Sequence, residues 1–139
     1  MPTIYETVTL DDAKRMLSTA EAKAVSLGIA YNIAVVDASG RLVAFARQNA
    51  SPIGCIDLAI GKAMTARIFN VPTSELAALA QSGKPYFGIQ QSNDGKVIIL
   101  AGGLPITSAG KIIGAVGASA GTGEQDVEVA QAAISALRD

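Results

Sequence analysis

At 139 residues the chain has the size of one ordinary domain, 1–139, and is long enough to build a full core. Half of its residues are apolar, 17% are charged, 4% are aromatic, and the formal net charge is −1. Phosphate binding needs clustered Lys or Arg, so this balance argues against nucleic acid as a partner. No apolar run approaches the roughly 20 residues of a membrane-spanning helix. The opening MPTIYETVTLDD lacks the basic-then-apolar form of a signal peptide. Cys55 is the single cysteine, so no intrachain disulfide can form. Both features suit a cytoplasmic setting. A small domain with so little charge has few groups with which to cover its surface, which points to assembly with further copies of itself.

Thr9 caps a first helix that runs to Leu27. Asp11 and Asp12 lie in its first turn, and Gly28 ends it. Strands over Tyr31–Val36 and Arg41–Arg47 flank the turn Asp37-Ala38-Ser39-Gly40, a hairpin signal in which Asp37 reads as a turn carboxylate. Ser51-Pro52 reads as the start of a second helix reaching Phe69. That helix is apolar on two sides, with Ile53, Ile56, Ile60, Ala63 and Met64 on one and Leu58, Thr65 and Phe69 on the other. Lys62 then lies among apolar neighbours and requires an anion, either a carboxylate of the same chain or a ligand. Asp57 flanks the first stripe. Cys55 sits in the first helical turn, where a thiol's pKa falls, but no histidine exists to serve as its base, and it reads as a small buried residue.

Pro72 breaks the helix, and a short third helix follows over Glu75–Gln81. Residues 82–89 form a loop holding Tyr86 and Phe87, and QQSNDG at 90–95 is a polar connection. Val97–Ala101, Leu104–Thr107 and Lys111–Ser119 read as three further strands, with a break at Gly102-Gly103. A final helix runs from Glu124 to Leu137. Glu124 and Asp126 read as partners of its dipole, with acid–base work as the alternative. The sum is α+β: one five-stranded antiparallel sheet with helices packed on it.

The chemistry concentrates around Gly117-Ala118-Ser119-Ala120-Gly121-Thr122-Gly123, a loop almost without side-chain bulk that feeds the last helix. Such a loop can bring backbone N–H groups and the positive end of a helix dipole against an anion such as a carboxylate. Absences limit the chemistry further. With no histidine and one cysteine, neither a zinc site of the usual kind nor a Ser-His-Asp or Cys-His arrangement can be built within one chain. The loop matches neither the Walker phosphate loop nor GxGxxG. A polar mechanism would draw on Lys62, Arg47, Asp57, Glu124, Asp126, Tyr86 or backbone N–H groups.

Four segments, DLAIGKAMTA at 57–66, GGLPI at 102–106, GAVGAS at 114–119 and TGEQD at 122–126, resemble the GlcG/HbpS family. This is the haem-degrading, DUF336 group, which includes the C-terminal domain of PduO corrinoid adenosyltransferases. The resemblance runs in order over nearly the whole chain. It implies a profilin-like α/β/α sandwich and a homo-oligomer, tetramer or octamer. It also brings haem as a family ligand, although histidine ligation has no counterpart here.

Three functions follow. The first is a small-molecule-binding homo-oligomer, with haem or another tetrapyrrole as the family ligand. Its expected binding residues are Arg47, Lys62, Gly102, Gly103, Ser119, Gly121, Thr122, Gly123 and Gln125. The second is an enzyme acting on a small carboxylate or carbonyl metabolite of a catabolic pathway. There Lys62 and Arg47 would hold the anion and Asp57 or Glu124 would move a proton. The third is an accessory structural oligomer whose loop only builds a subunit interface.

Overall fold

The structure, a computed structural model, describes residues 1–137. Helix α1 (Leu10–Leu27) is followed by β1 (Asn32–Asp37), β2 (Leu42–Arg47), α2 (Cys55–Phe69) and α3 (Thr73–Leu79). A 3-10 turn (Ile89–Gln91) and the single turn α4 (Ser92–Gly95) precede β3 (Gly103–Ser108), β4 (Lys111–Ser119) and α5 (Gly123–Ser135). The strands make one antiparallel sheet in the order β2-β1-β4-β3.

Alternation along β1 sets the layers. Tyr31, Ile33 and Val35 point into a core shared with Met16 and Ala20 of α1 and Val129 and Ala133 of α5. Ala34 and Val36 face Ala59, Ala63 and Ala66 of α2 on the other side of the sheet. Helices therefore cover both faces, α1 with α5 on one and α2 on the other. The α2 side is lined by small residues because that helix lies almost on the sheet. A Cβ on Gly117 would run into the carbonyl oxygen of Ala59 and come within 2.6 Å of the Ala63 nitrogen. Gly117 thus serves helix–sheet contact, whereas a Cβ on Gly114 would run into the Val36 carbonyl of the neighbouring strand β1.

α1 follows its sequence signals closely. Thr9 and Asp12 form a reciprocal capping box, and Gly28 closes the helix in the left-handed region. Two expectations are corrected. The sheet has four strands, not five, because residues 97–101 do not pair with a strand. They cross α2 instead: the Ile98 amide donates to Thr65 Oγ1 at 2.9 Å, and Val97 is buried. The second helix begins at Cys55 rather than at Ser51-Pro52. The Ser51 hydroxyl donates instead to the side-chain oxygen of buried Asn32, and residues 52–54 turn before the helix starts.

Candidate functional site

Lys62 lies in the middle of α2 with a side chain only 2% exposed. Its ammonium donates to the Ala118 carbonyl at 3.1 Å and to Asp126 Oδ2 at 2.9 Å. Of the two partners open to it from the sequence, the structure supplies the carboxylate of the same chain. Asp126, on the first turn of α5, is buried as well. Its Oδ1 accepts from Tyr31 Oη at 2.8 Å, from the Gly121 amide at 2.9 Å and from the Ala120 amide at 3.3 Å. Burial, with the Asp126 carboxylate beside it, pushes the Tyr31 phenol well above the ordinary tyrosine range.

The small-residue loop therefore does hold a carboxylate, and that carboxylate belongs to Asp126. The cap of α5 engages further amides within the chain. Thr122 N donates to Gln125 Oε1, and Gln125 N donates to Thr122 Oγ1, a second capping box. These bonds occupy the amides of residues 120–122 and 125, so an incoming anion at the cavity meets the lysine and not those amides. Gly102 and Gly103 allow the groups to converge. Gly102 sits at φ 125°, where a Cβ would come within 2.6 Å of the Ala118 oxygen and 3.0 Å of the Lys62 ammonium.

Beside this cluster lies a cavity of about 240 Å³. Lys62, Asp126, Ser119, Gly121 and Gly123 line it, together with Cys55, Leu58, Leu100 and Ala101. An ammonium has three donors, and two are used among the described residues, so one N–H remains for a cavity occupant. Of the expected binding residues, Lys62, Ser119, Gly121 and Gly123 are brought together in this lining. Gly102 and Gly103 back it. Thr122 and Gln125 serve the helix cap.

Arg47, Asp57 and Glu124 are not brought to the cavity. Arg47 is exposed at the end of β2; it pairs with Asn32 of β1, which in turn pairs with Ser119 of β4. It is therefore two strands away, about 10 Å in the sheet. Asp57 faces a separate cleft of about 490 Å³ between α2, the β1–β2 turn and residues 95–98, together with Arg41, Lys96, Ile60 and Met64. Glu124 is exposed on α5. Tyr31 and the central role of Asp126 did not emerge from the sequence, and Cys55, read there as a small buried residue, is instead partly exposed at the cavity. A signal for Asp126 exists in the sequence: it continues the buried stripe Val129, Ala130, Ala133 at helical spacing, a charge on an apolar face.

The family model for haem degrading protein HbpS-like matches residues 8–135. An uncharacterized 15.0 kDa protein from the dhaT-dhaS intergenic region of Citrobacter freundii is 35% identical, over 96% of this chain and 94% of its own. The corrinoid adenosyltransferase PduO of Salmonella typhimurium is 32% identical over 91% of this chain, which spans only 38% of that protein. Among solved structures, the Klebsiella pneumoniae protein ORFY superposes with a TM-score of 0.95 at 33% identity, covering 97% of this chain and 93% of the other. The PduOC complex with haem superposes with a TM-score of 0.91 at 30% identity, covering 95% and 96%. With the match extending from the end of the N-terminal segment to the last residue of α5, the chain belongs to the HbpS-like family.

Proposed function

We propose that the protein is a small-molecule-binding homo-oligomer whose ligand occupies the cavity beside Lys62. One observation carries this reading: a lysine buried to 2% exposure, with a donor to spare, on the wall of a cavity of about 240 Å³. A buried ion pair is weak as a stabiliser against an apolar replacement, so its presence at a cavity favours a binding role. The volume lies below the roughly 300–1,000 Å³ of drug-sized pockets, and the ligand is accordingly a compact molecule with a carboxylate or carbonyl acceptor. Calorimetric titration with pyruvate and succinate tests it. Saturable binding is expected, and Leu58→Phe, which narrows the cavity and leaves both residues of the ion pair in place, should weaken or abolish it. Absence of saturable binding to either acid would remove the reading.

Haem itself does not fit this cavity. A different observation favours a tetrapyrrole elsewhere: the cleft of about 490 Å³ is lined by the apolar side chains of Leu42, Ile60, Met64 and Ile98. Arg41 and Lys96 flank it and would pair with two propionates, while the Met64 thioether would ligate iron. A Soret band that forms on adding hemin, survives gel filtration and is lost in Met64→Ala would support that reading. The PduOC relative, solved as a haem complex, supports it by likeness.

Assembly is supported by surface. The chain exposes 7452 Å², about a tenth more than the roughly 6,700 Å² expected of a compact 14.1 kDa monomer. That surface includes the exposed aromatics Tyr86 and Phe87. A tetramer or octamer by light scattering is expected, reduced in size by Phe87→Asp; a monomer at all concentrations would oppose it.

A further inference from the structure

The other end of α2 carries an arginine whose donors are mostly unspent. Arg67 Nη1 donates to Asn70 Oδ1 at 2.6 Å. On the opposite edge of the guanidinium, Nε is buried and has no acceptor among the described residues. Nε–H and the neighbouring Nη2–H point the same way and form the fork that matches the two oxygens of a carboxylate or phosphate. A buried donor without a partner is uncommon in a folded protein and asks for an absent acceptor.

The surroundings provide room for one. Arg67 and Tyr5 are shared by two adjoining clefts of about 480 and 400 Å³, one bounded by the β1–β2 turn and the other by Gly110 and Lys111. The chain segment between them is tied down, with Thr7 Oγ1 accepting from the Ala38 amide at 2.8 Å and the Val8 amide donating to the Ile113 carbonyl at 3.0 Å. The nearby carboxylates are engaged elsewhere. Asp37 Oδ1 accepts from the Ser39 amide, the Ser39 hydroxyl and the Arg41 amide. Glu6 lies 3.6 Å from the Lys111 ammonium. Lys111 adds a second cation on the rim.

We infer that the Arg67 fork, between the N-terminal segment and the β1–β2 turn, is a binding site for a small oxyanion, a carboxylate or a phosphate. It is separate from the Lys62 cavity, with which it shares no lining residue.

The test is an NMR titration of the arginine Nε–H signals, five in this sequence. Arg67 is assigned by the signal missing in Arg67→Lys. Sodium phosphate and sodium acetate are added separately at ionic strength held constant with chloride. A saturable shift of the Arg67 signal is expected with at least one of them, and which one identifies the oxyanion. Arg67→Lys keeps the charge but lacks the fork, so the same anion, followed on backbone amides of residues 5–7 and 38–39, should bind at least tenfold more weakly. Its folding is verified by the remaining amide spectrum. No saturable shift with either anion, or unchanged binding in Arg67→Lys, overturns the inference. So does an Arg67 signal that responds to protein concentration and to neither anion, because the acceptor would then come from another copy of the chain.

Discussion

The two partners of the buried ion pair should differ sharply in what their loss costs. Asp126→Ala removes the acceptor of four hydrogen bonds, from Lys62, Tyr31, Ala120 and Gly121. It leaves the ammonium with the Ala118 carbonyl alone. Breaking a buried pair from one side costs about 3–5 kcal/mol. The adjacent cavity can admit water to some orphaned donors, so a value near the middle of that range is expected rather than a sum over bonds. Lys62→Met fills nearly the same volume and leaves Asp126 its three other donors, so about 1–3 kcal/mol is expected. The double variant should lose less than the two single losses added, by about 1–3 kcal/mol. Urea unfolding followed by circular dichroism suits a chain without tryptophan, and protomer concentration must be held fixed because assembly adds to apparent stability. If Lys62→Met costs as much as Asp126→Ala, or the double variant is additive within about 0.5 kcal/mol, Asp126 is not the hub described here.

Tyr31→Phe should flatten the alkaline limb of the stability curve. The folded phenol is held protonated, so stability falls as pH rises above the ordinary tyrosine value near 10, where only the unfolded chain ionises at this position. Stability measured from pH 8 to 11 checks this, and parallel curves for both proteins would refute it. Asp37→Ala should lower stability at neutral pH. Burial raises the Asp37 carboxyl, but hydrogen bonds from Ser39 and Arg41 outweigh this and hold it below the ordinary carboxylate range. Its contribution is present above about pH 4 and is lost as pH falls through the lowered native value, so acid titration curves of variant and parent should converge. Gly117→Ala should destabilise by several times as much as Gly28→Ala. The former drives a methyl into the α2 backbone at Ala59 and Ala63, whereas the latter meets nothing within 4 Å and pays only for its positive φ, about 1 kcal/mol. Thermal melts rank the pair, and comparable shifts would contradict the close α2–sheet contact.

Local signals in the chain by themselves specified α1 with its Thr9 cap, the β1–β2 hairpin, the third helix to within two residues, and the start of α5 to within one residue. Each rests on hydrogen bonds and dihedral preferences spanning a few residues, such as the Thr9–Asp12 exchange and the left-handed Gly28. The need of Lys62 for an anion was likewise legible, since a cation between two apolar stripes cannot stand alone. Tertiary structure decided which anion it is. Residues 62 and 126 meet only because β4 and α5 fold back over α2, bringing together groups 64 positions apart. It also decided that residues 97–101 cross α2 instead of adding a fifth strand. An apolar run of five residues satisfies either placement equally well, and the choice depends on whether Thr65 or a neighbouring strand accepts the Ile98 amide. The loop amides followed the same logic: small residues announce a cradle for a carboxylate, but only the fold shows that the chain fills it with its own.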